Sequence, residues 1–205
     1  GGGTVTGWLI AVEGTDGSGK STQARLLARH LGAVYTREPG GTPLGERLRD
    51  MVLDPAGDHP VDRAEALMIA AARAQHVAEV VRPALAEGRH VVTDRYLESS
   101  IAYQGHGRRL GPDDVAAVSA FATEGLAADL VVLIDVDGPV AANRRSGHLD
   151  RIELAGDEFH ARVVAAYRAM ATAEPDRWVV VDGTGTVEEV AERVAAGVAD
   201  RLGPA

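Results

Sequence analysis

The chain has 205 residues, a formal net charge of −9 and no cysteine. That length suits one domain with at most a small mobile lid, and the missing thiols exclude disulfides and thiolate metal sites. The acidic balance argues against nucleic acid as a partner, because non-specific binding to it draws on excess Lys and Arg.

Hydrophobic residues make up 45% and aromatic ones 4%, so Ala, Val and Leu must fill the core. No run of 18 apolar residues occurs, so no segment reads as a membrane span. Absence of cysteine is compatible with a reducing cytoplasm, the expected location. Residues 1–7 are glycine-rich and are expected to be a flexible leader or expression remnant outside the fold. Trp8 to Glu13 is a short apolar run of the kind that forms a buried parallel strand. A glycine-rich turn follows, then a helix over Ser21 to Leu31 with apolar positions at Ala24, Leu27, Ala28 and Leu31, closed by Gly32. Ala33 to Thr36 is a second strand, Glu38 to Pro43 a shaped loop, and Leu44 to Leu53 a helix. After the Pro55 to Pro60 loop, a long alanine-rich helix runs from Asp62, bends at Pro83 and closes at Gly88. His90 to Asp94 is a strand ending in an acid. Helices follow at Ser99 to Tyr103 and Pro112 to Thr123, the second with Pro at its first position. Leu130 to Ile134 is a buried strand ending before Asp135. Asn143 to Asp150 is polar and arginine-bearing. Trp178 to Val181 and Val187 to Leu202 give a last strand and an amphipathic helix. Alternation of strands and helices predicts an α/β fold, a five-stranded parallel sheet flanked by helices. One domain over residues 8–205 with a short lid at about 143–155 is the economical organisation.

Gly14-Thr15-Asp16-Gly17-Ser18-Gly19-Lys20-Ser21 matches G-x-x-x-x-G-K-[ST], which assigns the P-loop NTPase fold and an ATP-binding loop. The chemistry needs backbone N–H groups brought close to phosphate oxygens at a helix N-terminus, and glycines permit that approach. Lys20 adds a full charge for the β/γ oxygens, and Ser21 offers a hydroxyl to Mg²⁺. A chance glycine-rich turn is the bland alternative. It is disfavoured because the motif links a strand to a helix, and because Lys20 is the only lysine among 21 basic residues. The same fact removes the N-K-x-D guanine reader of switch GTPases, and the length is short for an ATPase module with an added oligomerisation domain, leaving a small-molecule kinase.

A phosphorylated acceptor requires fixed cations opposite that loop. Asp94-Arg95-Tyr96 lies at a strand end, where open α/β sheets place ligands. Asp94 is placed to hold Mg²⁺ directly or through water, and Arg95 to fork onto an acceptor phosphate. A surface ion pair is the commoner fate of such a dipeptide, and the strand end is what raises the functional reading. The histidines show no metal-ligand spacing.

Gly14 to Ser21, Thr36-Arg37-Glu38-Pro39-Gly40-Gly41-Thr42, Asp94-Arg95-Tyr96, Ala102-Tyr103-Gln104-Gly105 and Leu149-Asp150-Arg151-Ile152-Glu153 occur in this order. In this combination the chain, from Trp8 on, resembles the bacterial thymidylate kinases. The resemblance implies dTMP as acceptor, ATP with Mg²⁺ as donor, dTDP as product on the way to dTTP, and a homodimer. It implies that Arg73 and Arg95 grip the dTMP phosphate, that Ser100 faces the thymine edge and that Tyr103 lies under the deoxyribose. It implies further that Glu38, Pro39 and Gln104 belong to the acceptor pocket, with Arg37 nearby, and that Asp16 bonds the 3′-OH region or organises the Mg²⁺ shell. The family divides by the source of its catalytic arginine, and one kind carries it within the phosphate loop at the position of Gly17. Glycine there implies the kind with lid arginines, so Arg144, Arg145 and Arg151 are the candidates, Arg145 and Arg151 ahead of Arg144. The swinging cation would act with Lys20, Arg95 and Asp16.

One departure stands out. The family usually stacks a phenylalanine on the thymine four residues before Arg73, where this chain has Ile69. An aliphatic cover forgoes stacking worth roughly 1–3 kcal/mol per base in other settings. A kinase for another pyrimidine acceptor, such as dUMP, or for a deoxynucleoside is therefore the rival enzyme reading. A regulator that binds ATP without transferring it is the non-enzymatic one.

Overall fold

A computed structural model describes residues 7–144 and 149–202. Five strands form one sheet: β1 (Leu9–Glu13), β2 (Val34–Arg37), β3 (Val91–Asp94), β4 (Leu130–Asp135) and β5 (Trp178–Asp182). Their order is β2-β3-β1-β4-β5 and every pairing is parallel. The expected sheet is thus present. All residues of β1 are buried, as a strand covered on both faces requires.

Period-two alternation divides the core. Leu9, Ala11, Val91 and Leu133 pack with Ile69, Tyr103, Phe159 and Tyr167 on one face. Ile10, Val12, Val92 and Val132 pack with Leu27, Val190 and Val194 on the other. Helices α1 (Lys20–Leu31) and α9 (Val187–Leu202) cover the second face. The first is covered by α3 (Asp62–His76) and α8 (Asp157–Ala173), with α6 (Pro112–Thr123) packed outside on α3. Shorter elements are α2 (Pro43–Leu53), α4 (Arg82–Ala86), α5 (Leu97–Ser100) and α7 (Gly138–Arg144).

The expected bend before Pro83 takes the form of a π-helical turn at Val77–Val81, between α3 and α4. Proline lacks an N–H and its ring crowds the carbonyl four residues back, and a widened turn accommodates both. A second π-helical stretch, Ile101–Gly107, continues α5 and carries Tyr103 and Gln104.

The leader boundary needs correction by one residue. Gly7 is buried, and a Cβ on it would lie 1.9 Å from the Arg89 carbonyl oxygen. Residues 1–6 lie outside the described residues.

Because all strands run one way, their carboxyl ends share one edge. Glu13, Arg37, Asp94 and Asp135 end β1 to β4 there. The order reverses between β3 and β1, which is where such sheets open a crevice for ligands.

Candidate active site

The loop after β1 carries the glycine-rich motif. Ser18 N–H donates to the Thr15 carbonyl at 3.1 Å, and α1 begins at Lys20 from a left-handed Gly19 with φ 91°. Gly17 has φ 88°, and a Cβ there would sit 2.1 Å from the Ala141 carbonyl oxygen of α7. In this arrangement no side chain fits at Gly17, so the loop cannot itself carry an arginine at that point.

Asp16 joins the loop to the strand-end arginine. Lys20 Nζ lies 3.1 Å from Asp16 Oδ1, and Arg95 Nη2 lies 2.5 Å from the same oxygen. The Tyr103 hydroxyl donates to Asp16 Oδ2 at 3.1 Å. Burial pushes the Asp16 carboxyl up, but the charges of Arg95 and Lys20 outweigh it and hold it well below the usual carboxylate range. Arg95 has φ 72°, a left-handed conformation that a non-glycine residue adopts at some cost. That turn aims its guanidinium at the Gly14 carbonyl (3.2 Å), Ser99 Oγ (3.0 Å) and the Tyr103 hydroxyl (3.1 Å), with the Tyr103 ring centroid 4.8 Å away.

Behind Arg95 stands Glu13, which sequence reasoning treated only as the end of a strand. It is wholly buried and accepts from Tyr96 N–H at 2.8 Å, Ser99 Oγ–H at 2.6 Å and the Tyr167 hydroxyl at 2.8 Å. Burial, with Glu98 nearby, raises its carboxyl to about 7 against the lowering effect of Arg95. An acid closing an otherwise apolar strand is the signal that could have marked it.

The acceptor wall is equally connected. Arg73, almost fully buried, donates from Nε to Glu38 Oε2 at 2.6 Å and from Nη2 to Ser100 Oγ at 3.1 Å and the Tyr96 carbonyl at 2.9 Å. Glu38 Oε1 lies 2.8 Å from His76 Nδ1, whose Nε2 lies 2.6 Å from Thr36 Oγ1. Burial raises the Glu38 carboxyl, and Arg73 and His76 together bring it below its ordinary value. The Glu38–Pro39 peptide is cis.

Asp16, Lys20, Glu38, Arg73 and Arg95 line one cavity of about 550 Å³ at the carboxyl edge of the sheet. Six cations reach it: Lys20, Arg25, Arg37, Arg49, Arg73 and Arg95. Ser21, Pro39, Ile69, Asp94, Ser100, Tyr103 and Gln104 line it as well, so the expected acceptor residues do converge. Arg25 and Arg49 were not foreseen. They lie on helices α1 and α2, and only the placement of those helices around the cavity brings them in.

The thymidylate kinase family model matches residues 12–194. The chain belongs to the thymidylate kinase family. It is 52% identical over 196 residues to the thymidylate kinase of Leifsonia xyli subsp. xyli, covering 92% of each chain. It is 46% identical to that of Cutibacterium acnes, covering 92% of this chain and 94% of the other. The crystal structure of thymidylate kinase from Ehrlichia chaffeensis superposes with a TM-score of 0.76 at 28% identity, over 94% of this chain and 99% of that one. The chain is therefore a kinase, a nucleotide-binding transferase.

The lid arginines expected of this thymidylate kinase relative are placed unequally. Arg145, with His148, lies outside the described residues. Arg144 Nη1 donates to the Gly183 carbonyl at 2.8 Å, beyond β5. Arg151 is held by backbone and a buried acid at the lid's base. Its Nε donates to the Val52 carbonyl at 2.8 Å and its Nη2 meets Glu65 Oε2 at 2.5 Å, so the guanidinium ties the lid's base to α2 and α3. A buried carboxylate outcompetes the open cavity for it. The neighbouring Asp150, Ile152 and Glu153 do line the cavity.

The donor set also fits a hydrated divalent cation. Asp94 Oδ1 is buried at the end of β3 and meets no hydrogen-bond partner among the described residues. Ser21 lines the same cavity.

Proposed function

We propose that this protein transfers the γ-phosphoryl group of ATP to dTMP, giving dTDP, in the cytoplasm. The observation that carries this reading is Asp16, whose one oxygen holds both Lys20 of the phosphate loop and Arg95 of the acceptor side. Donor and acceptor cations thus meet at a single point on the sheet edge. The acceptor phosphate is already an anionic nucleophile near neutral pH, so no strong general base is required. Lys20 and the loop N–H groups hold the β/γ oxygens, while Arg95 and Arg73 hold the acceptor phosphate in line. Arg73 reaches it from the Glu38 and Ser100 anchor that fixes its guanidinium. Tyr103, locked by Arg95 and Asp16, supports the deoxyribose. Ile69 and Pro39 cover the base, with Ser100 and Gln104 at its edge. Ser21 and Asp94 would hold Mg²⁺, Asp94 directly or through water, and the ion when bound neutralises charge on the phosphates. A lid arginine, Arg145 or Arg151, would neutralise charge on the transferred group.

An ADP-release assay with Mg-ATP tests the acceptor. The expected result is turnover with dTMP far above that with dCMP or thymidine. Faster turnover with dUMP or thymidine would transfer the reading to the rival kinase, and acceptor-independent binding of ATP alone would leave a regulator.

The protein acts as a homodimer through the α3–α6 face. There Phe121 is 89% exposed and Leu67 58% exposed, beside a groove lined by Ala70, Ala74 and Val118. A protruding ring next to a floor of small side chains on one surface is self-complementary, which a two-fold interface requires. Phe121→Asp is expected to give a monomer by sedimentation. An unchanged dimer would place the interface elsewhere, and a monomeric wild type would remove it.

A further inference from the structure

Glu65 of α3 has no solvent exposure and is met by three side chains, Gln104 and Arg108 from the end of one helical stretch and Arg151 from a distant segment. Its Oε1 accepts from Gln104 Nε2 at 2.8 Å and from Arg108 Nε at 3.2 Å. Its Oε2 accepts from Arg108 Nη2 at 3.0 Å and from Arg151 Nη2 at 2.5 Å. Burial raises the Glu65 carboxyl, but the bonds from Arg108, Gln104 and Arg151 outweigh that and bring it below its ordinary value. Glu65 is therefore ionised near neutral pH.

An ionised carboxylate only accepts hydrogen bonds, whereas a carboxamide has one donating and one accepting end. Gln104 must turn its NH₂ toward Glu65. Its Oε1 is then the polar end left for the acceptor cavity that Gln104 lines, and no donor among the described residues meets that oxygen. With an apolar residue in place of Glu65, the amide could present either end.

We propose that Glu65 is a specificity-determining positioning residue, which fixes the Gln104 amide so that the acceptor pocket offers a carbonyl oxygen to the base. Resting on the dTMP reading above, this selects a nucleotide whose base carries an N–H at that edge. The N3–H imide of thymine or uracil qualifies. Cytosine, whose N3 is itself an acceptor, would face the Gln104 carbonyl oxygen lone pair to lone pair. A site built around a required hydrogen bond rejects a ligand that cannot make it far more strongly than an apolar pocket rejects a change of size.

The test compares kcat/KM for dTMP, dCMP and N3-methyl-dTMP in the wild-type protein and in Glu65→Gln, whose side-chain amide can face Gln104 with either end. The wild type is expected to prefer dTMP over both analogues by about 100-fold or more. In Glu65→Gln the dTMP-to-dCMP ratio is expected to fall by about tenfold or more, mainly through KM. A folded variant that loses activity equally on dTMP and dCMP would show a purely structural Glu65 and overturn the proposal. Should Glu65→Gln fail to fold, Gln104→Leu must narrow the same ratio. An unchanged or widened ratio there would mean that the amide does not present its carbonyl, and would overturn it too. A wild type inactive on dTMP would sink the acceptor assignment and this inference together. A dTMP-selective wild type with an unchanged Glu65→Gln ratio would sink this inference alone.

Discussion

Replacing Lys20 with alanine is expected to lower kcat by about 10²–10³-fold while changing the KM for dTMP by less than about threefold. Lys20 is buried at the start of α1, where its ammonium can follow charge developing on the transferred phosphoryl. No other lysine exists in the chain to substitute for it. The acceptor side should survive the change. Asp16 loses one cation but keeps Arg95 and the Tyr103 hydroxyl, so the carboxylate stays compensated and Arg95 stays aimed. Steady-state kinetics with saturating Mg-ATP provide the check. Equal loss in kcat and in dTMP affinity would mean that Lys20 supports the acceptor pocket rather than the transferred group.

Arg95→Lys tests geometry at constant charge. The guanidinium serves Asp16, the Gly14 carbonyl, Ser99 and Tyr103 at once, a spread that needs a planar fork. A lysine ammonium on the same backbone keeps the charge but cannot span those partners and an acceptor phosphate together. The expected outcome is a fall in kcat/KM for dTMP of about 10²-fold or more, with both kcat and KM affected, since misplacement by about 1 Å can cost that much. Thermal stability should fall as well, because Asp16 and Ser99 lose buried partners. Near-wild-type kinetics in a folded Arg95→Lys protein would show that charge alone suffices, and the fork would have no part in the reaction.

Most of the strand and helix plan could be read from the chain because its signals are local. The apolar run ending at Glu13, the helix opening with Pro112 and the amphipathic Val187–Leu202 helix each carry their own start or stop. The phosphate loop was legible for the same reason, since consecutive residues do one job. Side-chain commitments were not. Arg151 sits in a motif with a resemblance to a lid, yet Glu65, 86 positions away, captures its guanidinium. His76 looked like one of several scattered histidines, but α3 carries it to Glu38 and Thr36, where it completes the support of Arg73. Glu13 was an ordinary strand residue until Ser99 and Tyr167 closed over it from α5 and α8.

The sequence by itself determined the class of chemistry: a glycine-rich turn between strand and helix, with a single lysine in it, admits little but a nucleotide phosphate. It also determined that the sheet is parallel, since every strand is followed by a helix that must cross over. Only the tertiary structure decided which of the 20 arginines face the cavity and which are held by buried carboxylates. The physical reason is that backbone conformation responds to neighbours in sequence, while a charged side chain takes whichever desolvated partner the fold brings within about 3 Å. Strand order brings Asp94 beside Arg37 and Arg95 beside the phosphate loop, and helix packing delivers Glu65 to Gln104, Arg108 and Arg151.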